Sequence, residues 1–150
     1  MDDKNLEQQT DESSYKIIRY PAAGLPASYY NMVVSRYLKS LRYGNDYLRL
    51  IDQDFFFATF HKHIEHLLSR QTASVWLAVL SDNQDIVFGF AITEPKTLHF
   101  IHVPKDYRKQ GIARSIAAKL SVDIITHLTK TGLCLWNKKY PNAKFIPEVL

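Results

Sequence analysis

The sequence has little of what marks a secreted or membrane-embedded protein. Only one of its 150 residues is a cysteine, Cys134, so no internal disulfide can form and we expect a reducing, cytoplasmic compartment. No run of about 18 consecutive apolar residues is present, which argues against a membrane-spanning helix and a membrane partner. The first residues, Met1 to Lys4, lack the basic start and the apolar core of a secretory signal.

Charge is distributed unevenly along the chain. Residues 1–12 carry five acidic residues and one lysine, a net charge of −4, and we predict that residues 1–14 form a disordered acidic tail. The remainder has 18 Lys and Arg against 10 Asp and Glu, a net charge of +8. A basic body suits an anionic partner such as a nucleotide cofactor, a nucleic acid or an acidic protein, although ordinary solubility charge also accounts for it.

Two amphipathic helices are predicted in the first half of the chain. They follow a short strand candidate at residues 15–20. Behind Pro26, apolar residues recur at three- and four-residue spacing until Gly44 ends the pattern. A second apolar stripe follows, for which either Asp52 or Asp54 can act as the N-terminal cap. Two consecutive amphipathic helices must cover a sheet or each other.

Strand signals dominate the second half. Residues 75–80 and 86–92 flank a turn and predict a hairpin, and residues 98–103 predict the next strand. The remaining predicted elements are a helix from about Gly111 to Leu120, a strand within 123–128, a short helix at 132–139 and an edge strand at 144–146. The result is one α/β (α+β) domain over residues 15–150, with the element order β-α-α-β-β-β-α-β-α-β.

The segment from Val103 to Arg114 carries the clearest chemical signal. A strand ends, a basic loop follows, and the small residues Gly111 and Ala113 open a helix. Small residues let the backbone approach a ligand, and the amides of a first helical turn point outward without helical partners, at the positive end of the helix dipole. With the charges of Arg108 and its neighbours, these features predict a pyrophosphate cradle. The alternative is a tight loop that enters a helix, with its basic residues solvated.

The sequence Arg108-Lys109-Gln110-Gly111-Ile112-Ala113 resembles the motif of the GNAT superfamily of N-acetyltransferases, which reads Arg or Gln, two residues, Gly, one residue, and Gly or Ala. Val103, five residues before the motif, stands where the family places a valine at a strand end. The element order fits over about residues 15–149. The two early helices and the closing residues 139–145 resemble a GNAT-like branch that is common in tailed bacteriophages.

This resemblance implies a mixed, mostly antiparallel central sheet flanked by helices, with acetyl-CoA or another acyl-CoA as the cosubstrate and no metal. The strand with Ile101 and Val103 would splay from its neighbour, so that the pantetheine arm pairs with its backbone. The acceptor would be an amine of unknown identity, on a protein or a small molecule. The protein would act in the cytoplasm or, if it is phage-encoded, in the host cytoplasm or the virion. The implied cofactor-binding residues are Ile101, Val103, Arg108, Lys109, Gln110, Gly111, Ile112, Ala113 and Arg114.

No catalytic base is evident, and His99 and His102 are the candidates. Alternation along a strand places them on opposite faces, and either can instead be packed against the sheet. Glu94, in the preceding turn, is expected to be solvated. The tyrosine with which the family protonates the leaving thiolate falls near Trp136, which cannot do so, or near Tyr140, which we expect at the edge of the core.

Two classes of function stay open. The first is an N-acetyltransferase; the second is a non-catalytic GNAT-like binding or structural protein, which the missing acid and base favour. Binding of nucleic acid is compatible with either class. A homodimer could form through the edge strand near Phe145, although Pro147 limits such pairing. The spacing of His61, His63 and His66 does not predict a metal site, and Cys134 is interpreted as a core or helix residue.

Overall fold

The computed structural model describes residues 14–148, so the predicted acidic tail lies outside the described residues except for Ser14. The strands are β1 (Tyr15–Pro21), β2 (Ser74–Leu80), β3 (Val87–Glu94), β4 (Thr97–His102), β5 (Ile124–Ile125) and β6 (Lys144–Phe145). The helices are α1 (Ala27–Tyr43), α2 (Gln53–Ser69), α3 (Ile112–Ala117) and α4 (Lys130–Lys139). Their order confirms the prediction.

One mixed sheet contains the six strands in sequence order. The first four strands pair with one another in antiparallel fashion, and β5 is parallel to both β4 and β6. The predicted sheet, mostly antiparallel and flanked by helices, is therefore confirmed. β5 is shorter than expected, because the chain leaves the sheet after Ile125.

The two faces of the sheet bury different layers. On one face, α1 and α2 pack on the apolar side chains of β2, among them Val75 and Leu77, to form the larger core. On the other face, α3 and α4 pack over a smaller core that includes Ala78 and Ile101. At the start of α2, the Asp52 side chain accepts a hydrogen bond from the amide of Phe55 at 3.0 Å, which settles the choice of cap.

Helix α3 lies close to the ends of β3 and β4. It ends at Ala117, three residues before the predicted end, and so has only six residues. A Cβ at Gly89 of β3 would lie 3.0 Å from the carbonyl oxygen of His102 and 3.3 Å from Ile112. Glycine at position 89 therefore favours the close approach of α3 to the sheet, because a Cβ there would press on the backbone of β4 and on Ile112. Among residues 14–148, no helix is long and apolar enough to cross a membrane.

A β-bulge changes the direction of the side chains in β4. The pairing of β3 with β4 shifts register between residues 92 and 93, which makes His99 an extra residue in β4. The ring of His102 lies 6.4 Å from that of Phe100, which packs in the α1–α2 core. The ring of His99 lies 6.5 Å from that of His127, which contacts the same phenyl ring. Both candidate bases thus lie on the α1–α2 face, and the prediction of opposite faces is wrong.

Candidate functional site

The loop between β4 and α3 has an unusual backbone. Lys109 and Gly111 both have left-handed conformations, with φ of 66° and 79°. For a lysine this costs about 1–3 kcal/mol, a kind of strain that clusters at ligand-binding sites. The Arg108 side chain ties the loop to the strand, because its Nε donates a hydrogen bond to the carbonyl oxygen of Val103 at 2.9 Å.

Six consecutive amides of this loop have no backbone acceptor. The amide of Arg108 donates to the carbonyl of Lys105, and that of Ser115 donates to the carbonyl of Gly111. Between them, no amide of residues 109–114 donates to a backbone oxygen within residues 14–148. Because α3 is so short, its dipole is weak, and the amides themselves and the nearby cations must supply most of the attraction for an anion.

A cavity of about 500 Å³ opens at this loop, and we call it the basic cavity. Seven of the nine residues predicted to bind the cofactor line it; Ile101 is buried in the smaller core, and Gln110 is exposed outside the lining. Helix α4 forms the opposite wall and contributes Cys134, Lys138 and Lys139. Cys134 is an exposed helix residue and not a core residue. Sequence reasoning missed this wall, because nothing local indicates that a helix 25 residues downstream faces the motif.

One backbone edge of β4 is free beside the basic cavity. The parallel pairing with β5 covers only Thr97 and Leu98, and the last backbone bond joins the amide of Thr126 to the carbonyl of Leu98 at 3.2 Å. Beyond this point the two strands part. Within the described chain, the edge at residues 100–103 therefore has no strand partner and can accept an extended ligand.

A second cavity, of about 400 Å³, lies where β5 ends, and we call it the apolar cavity. The connection between α1 and α2 forms part of its wall, together with the segments that follow β5 and β6. The apolar lining includes Leu48, Phe60, Leu128 and Phe145. No Asp, Glu, Lys or Arg of the described residues lines it, and His127 is its titratable imidazole.

The two candidate bases lie on neither cavity. His99 is 1% exposed, and burial lowers its pKa below the ordinary histidine value although the nearby Glu94 opposes this shift. His102 packs against Phe90 and Phe100. Burial, followed by the charges of Arg36 and Arg108, lowers its pKa to about 4. Both imidazoles are therefore neutral at pH 7.

Glu94 is an ion-paired residue and not a solvated one. Its carboxylate accepts hydrogen bonds from Arg70 at 2.7 Å, from His99 at 2.8 Å and from Thr72. Burial raises the pKa of Glu94, but these three bonds outweigh burial and lower it to about 2. Glu94, His99 and Glu148 place ligand-type atoms within 4.8 Å of one another. Arg70 already bridges the two carboxylates, so we interpret the cluster as an ion-pair network.

His127 is the buried titratable group that sequence reasoning missed. Its Nδ1 lies 2.9 Å from the hydroxyl of Thr126 and its Nε2 lies 3.0 Å from the hydroxyl of Tyr37. Burial lowers its pKa to about 3. Tyr37 is 90 residues away in the chain, so no spacing rule could have paired the two side chains.

The two aromatic candidates for an acid have structural partners. The Tyr140 hydroxyl donates a hydrogen bond to the carbonyl oxygen of Ala117 at 2.8 Å, and the Trp136 indole donates to the carbonyl of Ala143 at 2.9 Å. Tyr140 thus ties α4 to α3, in keeping with a position at the edge of the core.

Solved structures share this fold. YycN from Bacillus subtilis, an inferred acetyltransferase, has a TM-score of 0.57 and 10% identity over 90% of this chain and 96% of that chain. An aminoglycoside acetyltransferase from an uncultured soil metagenomic sample, in complex with sisomicin, has a TM-score of 0.51 and 14% identity over 93% and 94% of the two chains. A predicted acetyltransferase with acetyl-CoA from Clostridium acetobutylicum has a TM-score of 0.50 and 14% identity over 91% and 94%.

At these identities the likeness establishes the fold, which is that of the GNAT acetyltransferases. No protein-family model matches the chain, and no curated protein sequence matches it. The finer resemblance to a phage-associated branch stays a prediction, because none of these structures tests it.

Proposed function

We propose that this protein transfers an acyl group from acetyl-CoA, or a related acyl-CoA, to a primary amine. The basic cavity carries the proposal, because it combines unpaired loop amides with a ring of cationic side chains. Backbone donors and positive charge are what a pyrophosphate needs. The fold supports acyl-CoA as the source of this pyrophosphate, since one of the compared structures contains acetyl-CoA.

In the proposed complex, successive parts of the cofactor bind to successive features of the basic cavity. The amides of residues 109–113 hold the pyrophosphate, with Arg108 and Arg114 beside it. The pantetheine arm extends along the free edge at residues 100–103, where it pairs like an added strand. On the opposite wall, Lys138 and Lys139 attract the remaining phosphate of the nucleotide.

The apolar cavity supports an acceptor of matching chemistry. An aminoglycoside is polycationic, and this cavity offers it no carboxylate within the described chain. An arylalkylamine, by contrast, buries its ring against Phe60 and Leu128 and directs its nitrogen toward His127. We therefore assign the acceptor to the apolar primary amines.

Catalysis then rests mainly on holding the amine and the thioester together. A base still has to remove a proton from the nitrogen, and the base has to be neutral at the working pH. His127 lines the apolar cavity and its pKa of about 3 keeps it neutral, and it takes up the proton through the Tyr37 hydroxyl, which is bonded to its Nε2. The candidates His99 and His102 are neutral as well, but they lie on neither cavity.

An acyl-CoA-binding protein without transfer is the second candidate. The observation in its favour is the bond from Tyr140 to Ala117, which occupies the hydroxyl that could protonate the departing thiolate.

The experiment mixes the protein with acetyl-CoA and one amine at a time, and detects acetylated amine by mass spectrometry. Phenethylamine represents the apolar class, and sisomicin represents the polycationic class. We expect acetylphenethylamine at a rate well above that of the uncatalysed mixture, and little acetylsisomicin. Efficient acetylation of sisomicin alone would refute the assignment of the acceptor. Bound acetyl-CoA without transfer to either amine would favour the second candidate.

A further inference from the structure

Five side chains form one continuous hydrogen-bonded chain between the edge of the sheet and the apolar cavity. The Oε1 of Glu94 lies 2.8 Å from Nε2 of His99, whose Nδ1 lies 2.8 Å from Oγ1 of Thr126. That oxygen lies 2.9 Å from Nδ1 of His127, whose Nε2 lies 3.0 Å from the hydroxyl of Tyr37. Glu94 reaches solvent, with its side chain 20% exposed, while the other four are buried.

The ionised carboxylate of Glu94, at the outer end, determines which atom donates and which accepts in every hydrogen bond of the chain. An ionised carboxylate can only accept, so Nε2 of His99 must carry a proton, and a neutral imidazole then accepts at Nδ1. Thr126 therefore donates to His99 and accepts from Nδ1 of His127. The remaining nitrogen of His127 accepts from the hydroxyl of Tyr37. His99, Thr126, His127 and Tyr37 each donate once in the same direction, Glu94 only accepts, and the two histidines have opposite tautomers.

The surroundings of the chain keep this arrangement in place. Arg70 pairs with Glu94 and with Glu148, whose carboxylate lies 3.9 Å from Nδ1 of His99. At the inner end, the neighbouring titratable group is His63 of α2, with its ring centroid 5.3 Å from that of His127. One cation thus fixes the ionised outer end, and within residues 14–148 no carboxylate lines the cavity at the inner end.

The inner end lies where β4 and β5 part. The ring of Tyr37 packs on Phe100 of β4, with 5.0 Å between centroids, and its hydroxyl contacts His127 just beyond β5. Tyr37 is 0% exposed and His127 beside it lines the apolar cavity, so the amine of the proposed function must pass His127 to reach this hydroxyl.

We propose that these five residues, which we call the imidazole relay, carry the proton of the acceptor amine to His99, beside the ionised Glu94, and return it to the thiolate. This inference rests on the proposed function. As the N–C bond forms, the amine proton passes to the Tyr37 hydroxyl oxygen, and that hydroxyl's own proton moves to Nε2 of His127. The proton on Nδ1 of His127 moves to Thr126, and the Thr126 proton moves to Nδ1 of His99. His99, now protonated on both nitrogens, is then an imidazolium beside the ionised carboxylates of Glu94 and Glu148.

The reverse steps complete the turnover. When the C–S bond of the tetrahedral intermediate breaks, the thiolate takes the proton back from the Tyr37 hydroxyl, and each transfer along the chain is undone. The net change is one proton moved from nitrogen to sulfur, and the relay regains its starting tautomers. A separate acid is then unnecessary, in agreement with the structural bond of Tyr140.

The first test measures the tautomers by two-bond ¹H–¹⁵N correlation spectra of the histidine rings of the full chain at pH 7. We expect a proton on Nε2 of His99 and on Nδ1 of His127. The same tautomer in both rings, or a protonated ring in either, overturns the relay. This measurement needs no acceptor, so it remains decisive if the proposed function fails.

The second test breaks the relay at its centre and measures turnover of acetyl-CoA with phenethylamine. We expect Thr126→Val to lower kcat at least about 100-fold, the range of a lost proton transfer, with both KM values within about twofold. Thr126→Ser keeps the hydroxyl and should keep most of the activity. Tyr37→Phe breaks the inner end and should act like Thr126→Val, which guards against a folding defect of the valine variant.

Thr93→Val is the matched control, because Thr93 is a buried threonine of the same sheet whose hydroxyl accepts from Trp76 outside the relay. Its kcat should stay within about threefold of that of the unmodified chain, since no proton transfer step is touched. If Thr126→Val and Tyr37→Phe turn over as fast as Thr93→Val, the relay is wrong. If the unmodified chain itself does not consume acetyl-CoA, the proposed function fails instead, and the tautomers alone decide whether the hydrogen-bonded chain exists.

Discussion

The basic cavity and the imidazole relay lie on opposite sides of β4 and are built by different means. One wall of the basic cavity comes from eight residues of a single short segment, Val103 to Arg114, whose backbone and charges act together. The relay draws its members from α1, β3, β4 and the segment after β5, and its longest link spans 90 residues. Binding of an anion can therefore be encoded locally, whereas this proton path exists only once the fold is complete.

The comparison also separates the two halves of the proposed reaction. The amides of the basic cavity remain available in the free protein, so cofactor affinity should depend on the loop, the facing wall of α4 and the free edge of β4. The relay contacts no residue of that loop in the described chain, so its variants should change the rate of transfer and leave cofactor affinity intact.

The largest effect is expected for Gly111→Glu, which places a carboxylate in the basic cavity and forces a side chain onto a φ of 79°. We expect the affinity for acetyl-CoA, measured by calorimetry, to fall at least about 100-fold, or about 2.7 kcal/mol. Gly111→Ala separates the strain from the charge. Gly24→Glu adds the same charge at a glycine with open space around it and should bind normally. Equal affinity in Gly111→Glu and Gly24→Glu would contradict the cavity as the cofactor site.

The next effect is a loss of stability on acidification, which should arise at the relay. The pKa of His127 is about 3 in the folded chain, below the ordinary 6.5, so the unfolded state binds more protons between these values. The contribution is fully present above pH 6.5 and is lost as pH falls, by about 1.4 kcal/mol per pH unit for such a group. Urea unfolding between pH 7.5 and pH 4.5 measures it.

His127→Gln removes this group and should make the pH profile of the unfolding free energy less steep, while His102, with its pKa of about 4, keeps its own share of the slope. His66→Gln, at an exposed histidine of α2, should leave the profile unchanged. Parallel profiles for the two variants would show that His127 is not held neutral by burial.

The smallest effect is expected for Tyr140→Phe. It removes the hydrogen bond to Ala117 and should lower the unfolding free energy by about 1 kcal/mol. Transfer to phenethylamine and affinity for acetyl-CoA should stay unchanged. A drop of kcat by a factor of about ten or more without loss of stability would instead make Tyr140 the acid and remove the need for the relay to return its proton.

The sequence predicts the order of elements well, because apolar periodicity and capping residues are local signals. It predicts the two candidate bases less well, because a one-residue bulge at His99 reverses the alternation on which their placement depends. The sequence also fails to predict how short α3 and β5 are, because the ends of helices and strands depend on tertiary packing. Tyr37 and His127 could not be paired from sequence at all, because tertiary structure alone joins them.

The central claim is that the basic cavity binds an acyl-CoA, and calorimetric titration of the full chain with acetyl-CoA tests it most directly. We predict saturable binding of one cofactor per chain with a Kd below about 1 mM, which corresponds to more than about 4 kcal/mol of binding free energy. Absence of saturable binding at acetyl-CoA concentrations up to several times this upper limit of the Kd would contradict the claim.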